Sequence, residues 1–122
     1  MRATLESFAF AIRECIGRLG TLGNYSPTQI GFSGGLAQSQ VFSQILSDVL
    51  GIPVSQHHHR ASNIGSAISA TVPSIQWAEA AKLRASVSTL FTPDMTGVIE
   101  YNELYSRWRR LKSKLAALED EL

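Results

Sequence analysis

A short apolar run, Gln29-Ile30-Gly31-Phe32, stops at Ser33-Gly34-Gly35 and gives way to a broad helical stripe of Val41, Phe42, Ile45, Leu46, Val49 and Leu50. Strand, glycine turn and helix in that order limit the chain to an α/β arrangement, because the strand is apolar on both faces and the helix on one. The stripe closes at Gly51 with Pro53 two residues on, which is how helices commonly end. Ile52 to Ser55 is β-prone and reads as a second strand. The spacing therefore predicts strands near Ile30 and Val54 with a helix over 39–50 between them.

Other elements surround this unit. Leu5, Phe8, Ile12, Ile16 and Leu19 recur every three or four residues, predicting an amphipathic helix over 5–19 that stops at Gly20. A short helix fits 63–71, where Gly65, Ser66, Ala67, Ser69 and Ala70 are small enough to let another backbone or a ligand come close, and Pro73 ends it. Between Ser74 and Val98 a helix fits Trp77 to Leu83, and the rest is left without assignment. From Tyr101 onward Leu104, Trp108, Leu111, Leu115, Leu118 and Leu122 step by four, three, four, three and four, a heptad stripe on a closing helix over 101–122 that is firmest to 118. There is no internal repeat.

Composition bounds what such a chain does. Its 122 residues make one small domain. No apolar run approaches the roughly 18 residues that span a bilayer. Eleven Lys+Arg against ten Asp+Glu leave a charge of +1, so no global field draws in nucleic acid or an anionic membrane. A single cysteine, Cys15, cannot form an internal disulfide, and Glu6 stands where a secretion signal would be apolar; a cytoplasmic protein is expected.

The glycine pair is the first candidate site. At a strand-to-helix turn, backbone amides and a helix N-terminus can face a ligand without side-chain obstruction, although a tight turn needing positive φ explains the pair as well. Gly34-Gly35-Leu36-Ala37-Gln38-Ser39 matches neither a P-loop, since no Lys follows, nor the dinucleotide fingerprint, which needs a third glycine.

The wider string is more specific. Gly34 to Ser39, then Gln44, then Ser47-Asp48-Val49-Leu50-Gly51-Ile52-Pro53-Val54 resembles the C-terminal half of the FGGY family of carbohydrate kinases, which have the actin-like, ribonuclease H-like ATPase fold. Arg2 to Glu6 opening a helix, Ala61-Ser62-Asn63-Ile64-Gly65-Ser66-Ala67, and Tyr101, Leu104, Tyr105 and Trp108 are similar to flanking segments of that family, so the resemblance covers roughly residues 2–112. It implies an α/β portion of the nucleotide-side domain, with a short mixed sheet flanked by helices, and ATP with Mg as cofactor. By the resemblance Gly34 and Gly35 form the wall against which the adenosine of ATP lies, and Ser39 stands near the purine. Gly65, Ser66 and Ala67 belong to the helix on which the two halves of a kinase hinge. Ser39 reads equally as a helix N-cap.

The same resemblance implies what is missing. A complete member carries its sugar site, catalytic aspartate and a phosphate loop in a first domain, and Asp48 matches a helix position rather than the catalytic base. Phosphoryl transfer needs Mg²⁺, both phosphate ends and the attacking hydroxyl held together, so no catalytic residue is assigned here and the isolated chain is expected to be inactive. It is expected to be a partial domain, whether cloned, truncated or one half of a two-chain enzyme, with ATP or ADP and a sugar-binding half as partners and a pentulose as one family-level sugar. The alternative is a non-catalytic module that oligomerises, as a homodimer, through its leucine-rich closing helix.

Three further signals have structural explanations. His57, His58 and His59 invite a zinc site, but in an extended segment only His57 and His59 share a face, and no Cys or spaced His completes a set; no metal site is assigned. Arg107, Arg109, Arg110, Lys112 and Lys114 flank Trp108, and on a helix they spread round the polar side, with Glu119, Asp120 and Glu121 after them. The acids sit badly against the helix dipole, which predicts fraying. Cys15 is expected to be a partly buried structural thiol.

Overall fold

The computed structural model describes residues 1–57, 70–71, 73–85 and 88–119. Its elements are α1 (Arg2–Gly23), β1 (Ile30–Phe32), α2 (Gln40–Leu50), β2 (Val54–His57), α3 (Trp77–Ala85), β3 (Ser88–Phe91) and α4 (Met95–Glu119). The strands form one sheet in the order β1-β2-β3. β1 and β2 are parallel, pairing Ile30 with Val54 and Phe32 with Gln56. β3 is antiparallel to β2, pairing Val54 with Phe91 and His57 with Ser88. A parallel pair needs a crossover, and α2 supplies it, as the strand-glycine-helix pattern requires.

The core gathers on α2. Phe42, Ile45, Leu46 and Val49 pack with Val54 of β2, with Ala9 and Phe10 of α1 and with Tyr101 of α4. Seven of the eleven residues of α2 are buried, Ser43, Ser47 and Asp48 among them. Ser47 stays satisfied by hydrogen-bonding through Oγ to the carbonyls of Ile52 and Phe91, both at 3.1 Å. Asp48 Oδ1 accepts from Gln44 Nε2 at 2.9 Å and from the Asp94 backbone amide at 2.8 Å, tying α2 to the entry of α4. The approach is so close that a Cβ on Gly97 would stand 3.0 Å from Asp48 Oδ2.

Several expected boundaries are corrected. The first helix runs over 2–23 rather than 5–19, passing through Gly20 and ending at Asn24, which takes the left-handed conformation at φ 48°. Gly20 serves close approach instead, since a Cβ there would meet the Tyr25 carbonyl oxygen at 2.7 Å. The closing helix begins six residues early, at Met95, with Asp94 Oδ1 accepting from the Thr96 amide at 3.1 Å. Cys15 is exposed rather than partly buried. It lies roughly 140° round α1 from Phe10, at about 100° per residue, away from the face that meets α2 and α4. The helix expected over 63–71 lies outside the described residues apart from Ala70 and Thr71, which are helical. The helix expected over Trp77 to Leu83 is present as α3 and runs on to Ala85, while β3 lies in the stretch left without assignment.

Candidate functional site

The glycine loop leaves the C-terminal end of β1, beside the C-terminal end of its parallel neighbour β2, where open α/β sheets hold their ligands. Gly34 takes φ 108°, which side-chain-bearing residues rarely adopt. Gly35 does not share that need: at φ −61° and ψ −44° it is in the ordinary helical region and caps a single 3₁₀ turn, Leu36–Gln38. The turn is closed by the amides of Ala37, Gln38 and Ser39 donating to the carbonyls of Gly34, Gly35 and Leu36 at 3.1 to 3.2 Å. A Cβ added at either glycine would meet no atom of the protein within 4 Å. One side of the loop is therefore open backbone.

Ser39 joins this loop to α2. Its backbone is extended, and its Oγ accepts from the Phe42 amide at 3.2 Å, so the N-cap alternative is what the structure contains. A capping hydroxyl still has its own proton to donate. Beneath the loop Ala37 is buried, and its carbonyl accepts a hydrogen bond from Gln56 Nε2 of β2. Phe32 and Phe42 pack with ring centroids 5.5 Å apart, fixing the end of β1 against the start of α2. Gln56 is a supporting residue that spacing does not single out, because its partner lies 19 positions away.

His57 lies at the end of β2, with Nε2 3.5 Å from Ser55 Oγ. Among the described residues no group of three metal-ligating side chains could hold an ion. His58, His59, Gly65, Ser66 and Ala67 lie outside the described residues. Asp48 is not free to hold Mg²⁺, being buried and bonded to Asp94 and Gln44. The described residues at the loop thus offer backbone and a hydroxyl to a ligand, and no carboxylate.

A second region of side-chain chemistry lies between α1 and α4. Phe10 meets Tyr101, Tyr105 and Trp108 at centroid distances of 6.1, 5.7 and 5.9 Å. Arg13 lies 4.3 Å from the Tyr105 ring centroid, hydrogen-bonds the Val49 carbonyl at 3.0 Å and Asn102 Oδ1 at 2.7 Å, and burial lowers its pKa from the usual guanidinium value. Lys112 pairs with Glu14 and holds that carboxyl below its ordinary pKa. Tyr101 donates to Glu6 Oε1 at 3.1 Å and accepts from Arg2 at 3.3 Å. Every one of these groups has a partner in the fold, which gives the region a structural role.

Comparison with known proteins meets this geometry from outside. The C-terminal domain of the FGGY family of carbohydrate kinases matches residues 1–73. The glycerol kinase of Symbiobacterium thermophilum is 30% identical over 112 residues, which are 89% of this chain and 22% of that protein. The glycerol kinase of Alkaliphilus oremlandii is 27% identical over 124 aligned residues, 99% of this chain and 24% of that protein. In structure, xylulose kinase from Rhodospirillum rubrum superposes with a TM-score of 0.75 at 25% identity, covering 96% of this chain and 24% of that one. The chain belongs to the FGGY family of carbohydrate kinases, and its mixed sheet and helices are part of an actin-like ATPase fold. It spans about a quarter of the length of these relatives. The family model ends at residue 73, short of the 2–112 expected from the sequence, while the relatives run on over β3 and α4.

Proposed function

We propose that this chain is the ATP-side portion of a kinase that transfers the γ-phosphate of ATP to a carbohydrate hydroxyl. In this reading Gly34 and Gly35 are the wall for the adenosine, Ser39 offers its hydroxyl proton to the purine edge, and Gly65, Ser66 and Ala67 belong to the hinge helix. The observation that carries it is Gly35. Its backbone suits any residue and its Cβ would meet only open space, so the fold itself does not call for glycine there. A flat ligand lying on the loop does call for it.

The chemistry divides accordingly. Mg²⁺ arrives with the nucleotide phosphates and supplies charge neutralisation at the transferring phosphoryl group. The described residues do not fit a Mg²⁺ site of their own, and no step is routed through one. Positioning of the attacking sugar hydroxyl and removal of its proton fall to a sugar-binding half, supplied by the same polypeptide or by another. Glycerol and xylulose are the substrates named for the relatives, and a small polyol or a pentulose is the class proposed here.

The test is calorimetric titration of Mg·ADP into the chain and into Gly35→Val. Weak binding to the parent, reduced at least about tenfold in the variant, supports the site. No binding to the parent, or equal binding to both, overturns it.

A further inference from the structure

Gln56 stands where the sheet calls for an apolar side chain. Val54 and Gln56 alternate with Ser55 along β2 and so project from one face, the face on which Val54 packs into the core with α2. Strands covered by helices are apolar on such a face, and a polar side chain there destabilises the fold unless its hydrogen bonds are met. Gln56 is 0% exposed, and its bonds are met only in part. Nε2 donates to the Ala37 carbonyl, while Oε1 has no hydrogen-bond partner among the described residues. The orientation follows from Ala37, since Oε1 turned toward that carbonyl would set two acceptors against each other. A carboxamide kept in the core with its oxygen unpaired is explained by what its nitrogen holds.

What it holds is the middle of the glycine loop. Phe32 against Phe42 fixes the loop where it leaves β1, and the Ser39 cap fixes it where it enters α2. The bond from Gln56 to Ala37 lies between these two, in the 3₁₀ turn itself. The Ala37 amide donates to the Gly34 carbonyl at 3.1 Å and the Ala37 carbonyl accepts from Gln56, so this one residue joins the first glycine to the sheet. Neither glycine carries a side chain through which its own position could be set. The plane of the Gly34 and Gly35 backbone therefore follows β2 by way of Gln56 and Ala37.

We propose that Gln56 is the positioning residue of the nucleotide wall: by holding Ala37 it sets the height and tilt of the glycine backbone, and with them the affinity for the adenosine that lies on it. This rests on the nucleotide reading of Gly34 and Gly35. Gln56 touches no ligand, being buried beneath the loop, and acts through Ala37.

The test uses the whole chain at a temperature where the melting curve shows parent and variant folded. Gln56→Met keeps the length of the side chain and loses the donor, and Gln56→Glu keeps its shape and sets a second acceptor against the Ala37 carbonyl. The dissociation constant for Mg·ADP should rise about tenfold in Gln56→Met and further in Gln56→Glu. Without nucleotide, the amides of Ala37, Gln38 and Ser39 should exchange with solvent about tenfold faster in Gln56→Met than in the parent. In the parent itself the Gln56 side-chain amide protons should be protected from exchange and should shift in the NMR spectrum when Mg·ADP is added. A parent that binds no Mg·ADP overturns the nucleotide reading and this proposal with it. A parent that binds, with folded variants that bind as tightly or a turn that exchanges at the parent rate, overturns this proposal alone. If neither variant stays folded the parent spectrum decides: a shift of the Gln56 signals supports the proposal, and signals unmoved at saturating Mg·ADP overturn it.

Discussion

Gly34 and Gly35 are neighbours with different reasons to be glycine. At φ 108° Gly34 is fixed by the backbone, so Gly34→Ala should cost about 1–3 kcal/mol in urea unfolding. Gly35→Ala, at a helical φ and in open space, should leave stability unchanged or raise it by about 0.4–1 kcal/mol through the unfolded chain. A shared cost at both positions would remove the distinction on which the nucleotide wall rests. Asp48 was legible in the sequence only as a helix residue. What it does depends on the Asp94 amide, 46 positions away, and no spacing rule reaches that far. Asp48→Ala should lower stability by about 1–3 kcal/mol, read from the urea midpoint, by leaving that amide unpaired.

At the scale of elements, the joint between α1 and α4 is built from side chains that pair across almost the whole length of the chain. Phe10 is 5% exposed among three aromatic rings, and Phe10→Ala should cost about 3–5 kcal/mol by urea unfolding. Tyr101 adds a pH dependence. Burial, the largest cause, raises its phenol pKa above the ordinary value, and the Arg2 hydrogen bond only partly opposes this. The folded state then holds the proton longer than the unfolded one, so the contribution is complete below pH about 10 and lost as pH climbs through the folded value. Tyr101→Phe should flatten that alkaline decline relative to the parent. Helix periodicity was enough to find α1, α2 and α4, whose apolar residues repeat. It failed at the ends, where Gly20 looks like a stop and is instead a contact with the Tyr25 carbonyl. It also missed β3, because Ser88-Thr89-Leu90-Phe91 has no alternation; its place is set by pairing with β2.

For the whole molecule, the α/β class and the glycine loop could be read from 20 or so consecutive residues because the strand-turn-helix unit is local. The joining of β3 to the sheet and the support of Ala37 by Gln56 are long-range and had no local signal. The outer part of α4 belongs to neither group: its heptad was plain in the sequence, and the domain leaves it bare. A chain ending at Ser113 should therefore melt within about 3 °C of the full chain at low concentration, since the bonds of α4 to the body reach no further than Lys112 among the described residues. A larger drop would mean that the exposed turns support the fold directly.

The burial of α2 has a consequence in time. Among the described helices α2 alone has most of its residues inside, and α1, β2 and α4 all lean on it. Its amides can meet solvent deuterons only when those neighbours have let go, whereas α1 and α4 can fray from their exposed ends. In a hydrogen-exchange experiment the amides of α2 and Val54 should be the slowest of the chain, with an opening free energy equal to that of global unfolding. The unit first legible in the sequence would then be the last to come apart.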